Sequence, residues 1–258
     1  LATLVLDEKS RPAVTALWAF AADLASVRER AREPAAGEIR LQWWADALTG
    51  EGHGAVRQNP LADALLDTIA EYRLPVPPLS RMIAARRFDL YQDPMPDLPT
   101  FEGYAGETAS VLFQLGAMIL NGGVPVEPGD AAGHLGVAQA LIGHLRAFGY
   151  NANQGRIFVP WSVLSVCGVT EAEVLAGQAS ERLTIALTKL TETATEHLGK
   201  ADAAVAALPR ILRPVFAQAA VLRAQLRRLD LETPFQRAND LADWRKIFQE
   251  RRDLVVKG

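Results

Sequence analysis

The sequence predicts an all-α fold, and three observations carry the prediction. Apolar residues recur at helical spacing along nearly the whole chain, Gly and Pro fall between the periodic stretches, and no stretch alternates apolar and polar residues as a half-buried strand would. Of the 258 residues, 49% are hydrophobic and 22% charged, enough apolar content for one sizeable core. The chain therefore reads as one helical domain over residues 1–258.

Each element has its own signal. Leu1 to Leu6 is too short for the core of a signal peptide and reads as a trimmed or disordered start. Ser10 with Pro12 opens the first helix, which Val14, Leu17, Trp18 and Leu24 continue: a hydroxyl suits the helix cap, and proline suits the first turn. A second helix runs over 34–48, with Gly50 placed to stop it. Pro60 begins a third, which ends before Pro75 because the residue ahead of a proline disfavours helix. Leu79, Met82, Ile83 and Leu90 mark a fourth. A long, mostly buried helix over 101–120 ends at Asn121-Gly122-Gly123, and another spans 128–148. After a loop around Gly155 and Pro160, helices follow near 170–176, 180–206, 209–230 and 239–250.

Composition excludes several functions. A net charge of −3 gives no basic excess for nucleic acid. Cys167 is the single cysteine, which rules out an internal disulfide framework and suits a reducing compartment such as the cytoplasm. No run of eighteen apolar residues exists to span a membrane, since Gln114 and Gly116 interrupt the most apolar stretch, 111–120. Arg223, Arg227 and Arg228 are either a local basic face for peripheral contact at the inner face of a membrane or an ordinary solvated helix surface.

Candidate chemistry is sparse. Asp63 and Asp67 lie opposite Leu61, Leu65 and Ile69 on their helix and read as a polar surface stripe. Met82, Arg86, Asp89 and Asp93 fall on one inward-leaning stripe, which either directs two carboxylates toward a cavity or pairs Asp89 with Arg86. Asp240 and Asp243 read as first-turn charges of the last helix. His53 falls in a glycine-rich loop, His134 near the start of the sixth helix, and His197 on a polar helix. None has a Cys or His at ligand spacing, so no zinc site is expected. His144 reads as a pocket-lining residue or a hydrogen-bonded core histidine. No Gly-rich phosphate loop and no cofactor site appears.

Three stretches go beyond generic helix: Leu17-Trp18-Ala19-Phe20 with Glu38-Ile39-Arg40-Leu41-Gln42-Trp43-Trp44; Tyr104-Ala105-Gly106-Glu107-Thr108; and Leu135-Gly136, Leu145-Arg146, Gly155-Arg156-Ile157-Phe158-Val159-Pro160. In this order and spacing the chain resembles the squalene/phytoene synthase family over nearly its whole length. That resemblance implies the isoprenoid synthase fold, a helical bundle with a central cavity. It also implies enzymes that join two prenyl diphosphates head to head, with Mg²⁺ held by two Asp-rich motifs.

Matched residue by residue, the first motif's aspartates fall on Ala25, Ser26 and Glu29, and the second's on Ala147 and Asn151, with Tyr150 where an acidic residue usually stands. Mg²⁺ needs hard oxygen ligands, and alanine offers none. The resemblance is strongest to a branch of the family that lacks these motifs and includes a mitochondrial complex I assembly factor. Arg28-Glu29 and Arg87-Phe88-Asp89-Leu90-Tyr91 carry that part of the resemblance. It implies a pocket lined by Phe20, Tyr104, Gly106, Ala109, Leu112, Phe113, His144, Arg146, Asn151 and Arg156. Each apolar member reads equally as core, and Arg146 and Arg156 read as diphosphate-binding or as ion-pair partners.

The expected function is binding without catalysis, with an isoprenoid or lipid ligand, a respiratory-complex subunit or another protein as partner. The alternatives are a lipid carrier, or a prenyltransferase holding Mg²⁺ at a displaced site of Glu29, Asp89 and Asp93. Outside that enzymatic alternative, no metal is expected.

Overall fold

A computed structural model describes residues 2–31, 33–51, 54–236, 238 and 242–257. His53 and Asp240 lie outside the described residues. The fold is all-α, and no strand occurs among the described residues. Thirteen α-helices are described: α1 (Arg11–Arg30), α2 (Pro34–Thr49), α3 (Pro60–Tyr72), α4 (Val76–Arg86), α5 (Leu98–Ala105), α6 (Val111–Leu120), α7 (Gly129–Arg146), α8 (Phe148–Asn153), α9 (Trp161–Val166), α10 (Glu171–Leu175), α11 (Glu181–Ala207), α12 (Gln218–Leu226) and α13 (Asp243–Lys257).

The helix starts follow local chemistry. Pro12 sits in the first turn of α1, but Ser10 makes no side-chain cap. Its hydroxyl and backbone amide instead donate to the Asp7 carboxylate, which also accepts from the amide of Lys9. These bonds hold Asp7 below the usual carboxylate pKa. The described chain ahead of α1 forms a 3₁₀ turn at Ala2–Val5, and Leu6 is buried in the core. Asn59 caps α3 through Leu61 and Ala62, and Asp97 caps α5 through Thr100. Gly50, at φ 80°, ends α2 in the left-handed conformation that glycine adopts without strain.

Three expected helices differ from their outlines. The fourth stops at Arg86 and continues as a 3₁₀ turn, Arg87–Leu90. The expected helix over 101–120 starts at Leu98 and contains a π-helical turn, Gly106–Ser110, between α5 and α6. The expected 209–230 helix is a 3₁₀ segment, Arg210–Phe216, followed by α12. Pro214 inside that segment has no amide hydrogen to donate to a helical ladder.

Long, nearly continuous burial joins these elements. Phe20, Leu41, Leu65, Met82, Phe101, Phe113, Leu135, Leu190 and Phe216 belong to one hydrophobic cluster drawn from both ends of the chain. The broadest helix pairing among the described residues is α7 with α11, and α7 also lies against the π-helical turn. Gly136 permits that second contact, since a Cβ there would overlap the backbone and hydroxyl of Ser110.

Candidate functional site

Helices α1, α4, α5, α6, α7 and α12, with the π-helical turn, border a solvent-open central cavity of about 480 Å³. Small residues make the space: Ala21, Ala22 and Ala25 on α1, Ala109 on the π turn, and Ala140 and Gly143 on α7. Arg28, Arg86 and Arg146 face it, together with Trp18, Gln139 and His144. No Asp or Glu lines it among the described residues. Ala25 and Ala147, on which the expected metal-binding aspartates fall, both border the cavity and contribute no ligand atom.

The carboxylate nearest this wall is already engaged. Asp89 is 2% exposed. Its Oδ2 accepts from Arg86 Nη1 at 3.0 Å, and its Oδ1 from the Tyr104 hydroxyl at 2.7 Å. Arg86 Nη1 also donates to the Tyr104 oxygen at 2.8 Å, closing a three-membered network. Burial works against the Arg86 charge, but Tyr104 and Asp89 more than offset it and hold its pKa above the ordinary value. Burial, reinforced by Asp89 and opposed by Arg86, raises the Tyr104 pKa far above its ordinary value, so the hydroxyl stays a donor.

His144 stacks on Phe158 at 5.2 Å and meets the edge of Phe101 at 5.9 Å. Burial pushes its pKa down to about 4; Arg28 and Arg86 add to this, and Asp89 opposes it. Arg28 lies over the Phe158 ring at 4.5 Å and donates to Asn151 Oδ1 at 3.4 Å. Several polar atoms around the cavity have no hydrogen-bond partner among the described residues: Trp18 Nε1, Gln139 Oε1, and the Nε of Arg28 and Arg86.

Sequence reasoning placed some of these residues and misplaced others. The structure places Tyr104, Ala109, Leu112, His144 and Arg146 at the border of the cavity. Phe20 and Phe113 do not border it: Phe20 packs edge-on to Trp44, and Phe113 stacks on Phe216, so both are core. Gly106 borders a different groove, because the wider π turn rotates it away from Ala109. Asn151 is buried behind Arg28, and neither Asn151 nor Arg156 lines the cavity.

The displaced trio of Glu29, Asp89 and Asp93 does not assemble. Glu29 is exposed, 4.0 Å from Arg28, and Asp93 is exposed because the helix ends before it, so the expected stripe never forms. Among the described residues, no group of three His, Cys, Asp or Glu is arranged to hold a metal. Asp63 is half-buried and Asp67 exposed, and Arg57 bridges the two. Arg223 pairs with Asp202 at 2.8 Å, which takes it out of the expected basic face. No described helix is long and apolar enough to cross a membrane.

Arg28, on α1, lacked a spacing signal that put it on the cavity wall, whereas Arg86, on α4, was read on the inward-leaning stripe with Asp89; both positions depend on how α1 and α4 pack.

Comparison with known proteins gives this geometry a context. A family model described as squalene/phytoene synthase matches residues 1–247. The chain is 27% identical over 261 residues to a Bos taurus protein named NADH dehydrogenase (ubiquinone) complex I, assembly factor 6, covering 96% of this chain and 78% of that one. It is 26% identical over 205 residues to phytoene synthase of Arthrospira platensis, covering 73% and 66%. The crystal structure of squalene synthase HpnC from Alicyclobacillus acidocaldarius shares the fold, with TM-score 0.69, 21% identity, and coverage of 88% of this chain and 86% of that one.

Proposed function

The chain belongs to the squalene/phytoene synthase family, and from that premise we propose that it works by binding rather than by metal-assisted prenyl transfer, in support of assembling a larger protein complex. One observation carries the reading: among the described residues, three arginines and no carboxylate border the central cavity. Ionising a prenyl diphosphate requires Mg²⁺ against the leaving group, and Mg²⁺ requires hard oxygen ligands. A wall of guanidinium groups grips an anion directly and needs no metal to do so.

The other carboxylates near α1 support this reading by being engaged elsewhere. Asp23 accepts from Trp44 Nε1 at 2.8 Å and from Arg30 at 2.7 Å. Asp89 is held by Arg86 and Tyr104. The assembly role rests on relatives named as complex I assembly factor 6, which align with most of this chain. On this reading the partner is a respiratory-complex subunit, met by the protein at a membrane face.

The three arginines bordering the cavity favour a second component of the same role, an apolar ligand with an anionic head. Incubation with farnesyl or geranylgeranyl diphosphate and Mg²⁺ tests the central distinction. The expected outcome is no condensed hydrocarbon product; product above the level of a heat-treated control sinks the reading.

A further inference from the structure

We infer that the central cavity and a groove beside α8 and α10 are two halves of one site, which takes an anionic phospholipid with two apolar chains, one chain in each half. The inference rests on the reading of the cavity as a site for an anionic amphiphile and goes beyond it by naming the class of ligand.

The order of residues along the helices carries the argument. On α1 the cavity border runs from Trp18 through Ala21 and Ala25 to Arg28, and on α7 from Ala140 through Gly143 to Arg146. Arg28 and His144 both pack on the Phe158 ring, so the basic ends of the two helices meet. One end of the cavity is thus small and apolar, and the other carries guanidinium groups. At the apolar end Trp18 packs edge-on against the buried Phe113 at 5.9 Å, and a chain entering there goes no deeper.

The basic end adjoins a second recess. A groove of about 880 Å³, open to solvent, shares Gly143, Arg146 and Ala147 with the cavity. Positions 143 and 147 stand one turn apart and carry no more than a methyl group, and a Cβ added at Gly143 would meet nothing within 4 Å. The passage over that face is therefore open. Beyond it, Tyr150 and Leu175 border the groove at 53% and 43% exposure, together with Phe235. Large apolar side chains gathered around one open groove mark a surface that a partner covers. Among the described residues no Asp or Glu borders the groove, and Arg146 supplies its charge.

The arginines stand between two apolar recesses, of about 480 and 880 Å³, each large enough for a small ligand on its own. An anion with one chain leaves one recess empty. A diacyl phosphate lipid fills both, with its phosphate against Arg28 and Arg146.

Calorimetric titration of the full chain tests this with dioctanoyl phosphatidate, octanoyl lysophosphatidate and inorganic phosphate, the lipids kept below their micelle concentrations. The expected result is saturable binding of dioctanoyl phosphatidate, at least about tenfold tighter than lysophosphatidate, and no saturable binding of phosphate. Tyr150→Asp and Leu175→Asp, both at exposed positions, should cut that preference to less than about threefold. Ile211→Asp, which is exposed and borders neither recess, should keep it. Circular dichroism checks that the variants fold. If they do not, a phosphatidate with a photoreactive group on each chain decides on the unaltered protein: crosslinks within both 18–25 and 150–175 support the site, and crosslinks to one stretch or neither overturn it. Equal affinity for the two lipids, inorganic phosphate binding as tightly as phosphatidate, or a preference that survives both groove substitutions also overturns it. Farnesyl diphosphate titrated alongside separates the failures: if it binds and phosphatidate shows no preference, the cavity reading stands and the two-chain inference falls.

Discussion

At the scale of single residues, Asp89 shows how a side chain that looks like a metal ligand can be structural. Buried charges demand partners, and Asp89 has two, one from its own stretch of chain and one from α5. Removing it in Asp89→Ala leaves the Arg86 guanidinium buried without its counter-charge. That should cost about 3–5 kcal/mol of stability in a urea titration, while Tyr104→Phe should cost only about 1–2 kcal/mol. A variant as stable as the parent would show the network to be incidental.

His144 makes a matching statement about pH. Its folded pKa is pushed down to about 4 by burial, whereas in the unfolded chain it titrates at the ordinary histidine value of about 6.5. The unfolded chain therefore takes up the proton first. The stability tied to the neutral ring is fully present above pH ~6.5 and is lost as pH falls toward 4. The shift corresponds to about 3 kcal/mol. Denaturation midpoints measured between pH 7 and 4 should fall by that amount more in the parent than in His144→Leu. Equal slopes would contradict the assignment.

The pairing of Asp89 with Arg86 was legible in the sequence as one of two readings, because the spacing and the cost of a lone buried charge both favoured it. The Tyr104 contact was not, since it depends on how α5 packs.

At the scale of elements, the helical periodicity was sufficient to outline most helices, and prolines such as Pro12 and Pro60 mark where they start. What the period could not reveal is where it changes. The π turn at Gly106–Ser110 and the 3₁₀ turn at Arg87–Leu90 conserve an apolar pattern while altering which face each residue occupies. Those two departures account for the misplacement of Gly106 and Asp93.

The π turn also packs against α7, and two glycines on that helix separate packing from propensity. Gly136→Ala should destabilise by about 1–3 kcal/mol, because its Cβ overlaps Ser110. Gly133→Ala meets nothing within 4 Å and should stabilise by roughly 0.5–1 kcal/mol through helix propensity. Thermal denaturation of the two variants checks both signs; a stabilising Gly136→Ala would mean that α7 and the turn are not in tight contact.

At the scale of the whole molecule, the family fold runs through the described chain, and its cavity presents arginine side chains. The fold was legible because helical spacing and the order of the landmark motifs both run the length of the chain. The cavity was only half legible: alanines at the expected aspartate positions and Arg146 could be read off directly, but the meeting of three arginines at one wall could not. Their convergence belongs to the tertiary structure, in which α1, α4 and α7 each bring one guanidinium to the same wall.

The most direct measurement is a calorimetric titration of the full chain with farnesyl diphosphate, once in Mg²⁺ and once in EDTA. Saturable binding of the same strength in both, with unchanged ligand recovered at the end, is the predicted result. Binding that appears only with Mg²⁺ and ends in product would contradict the account, and no binding in either buffer would remove the cavity from it.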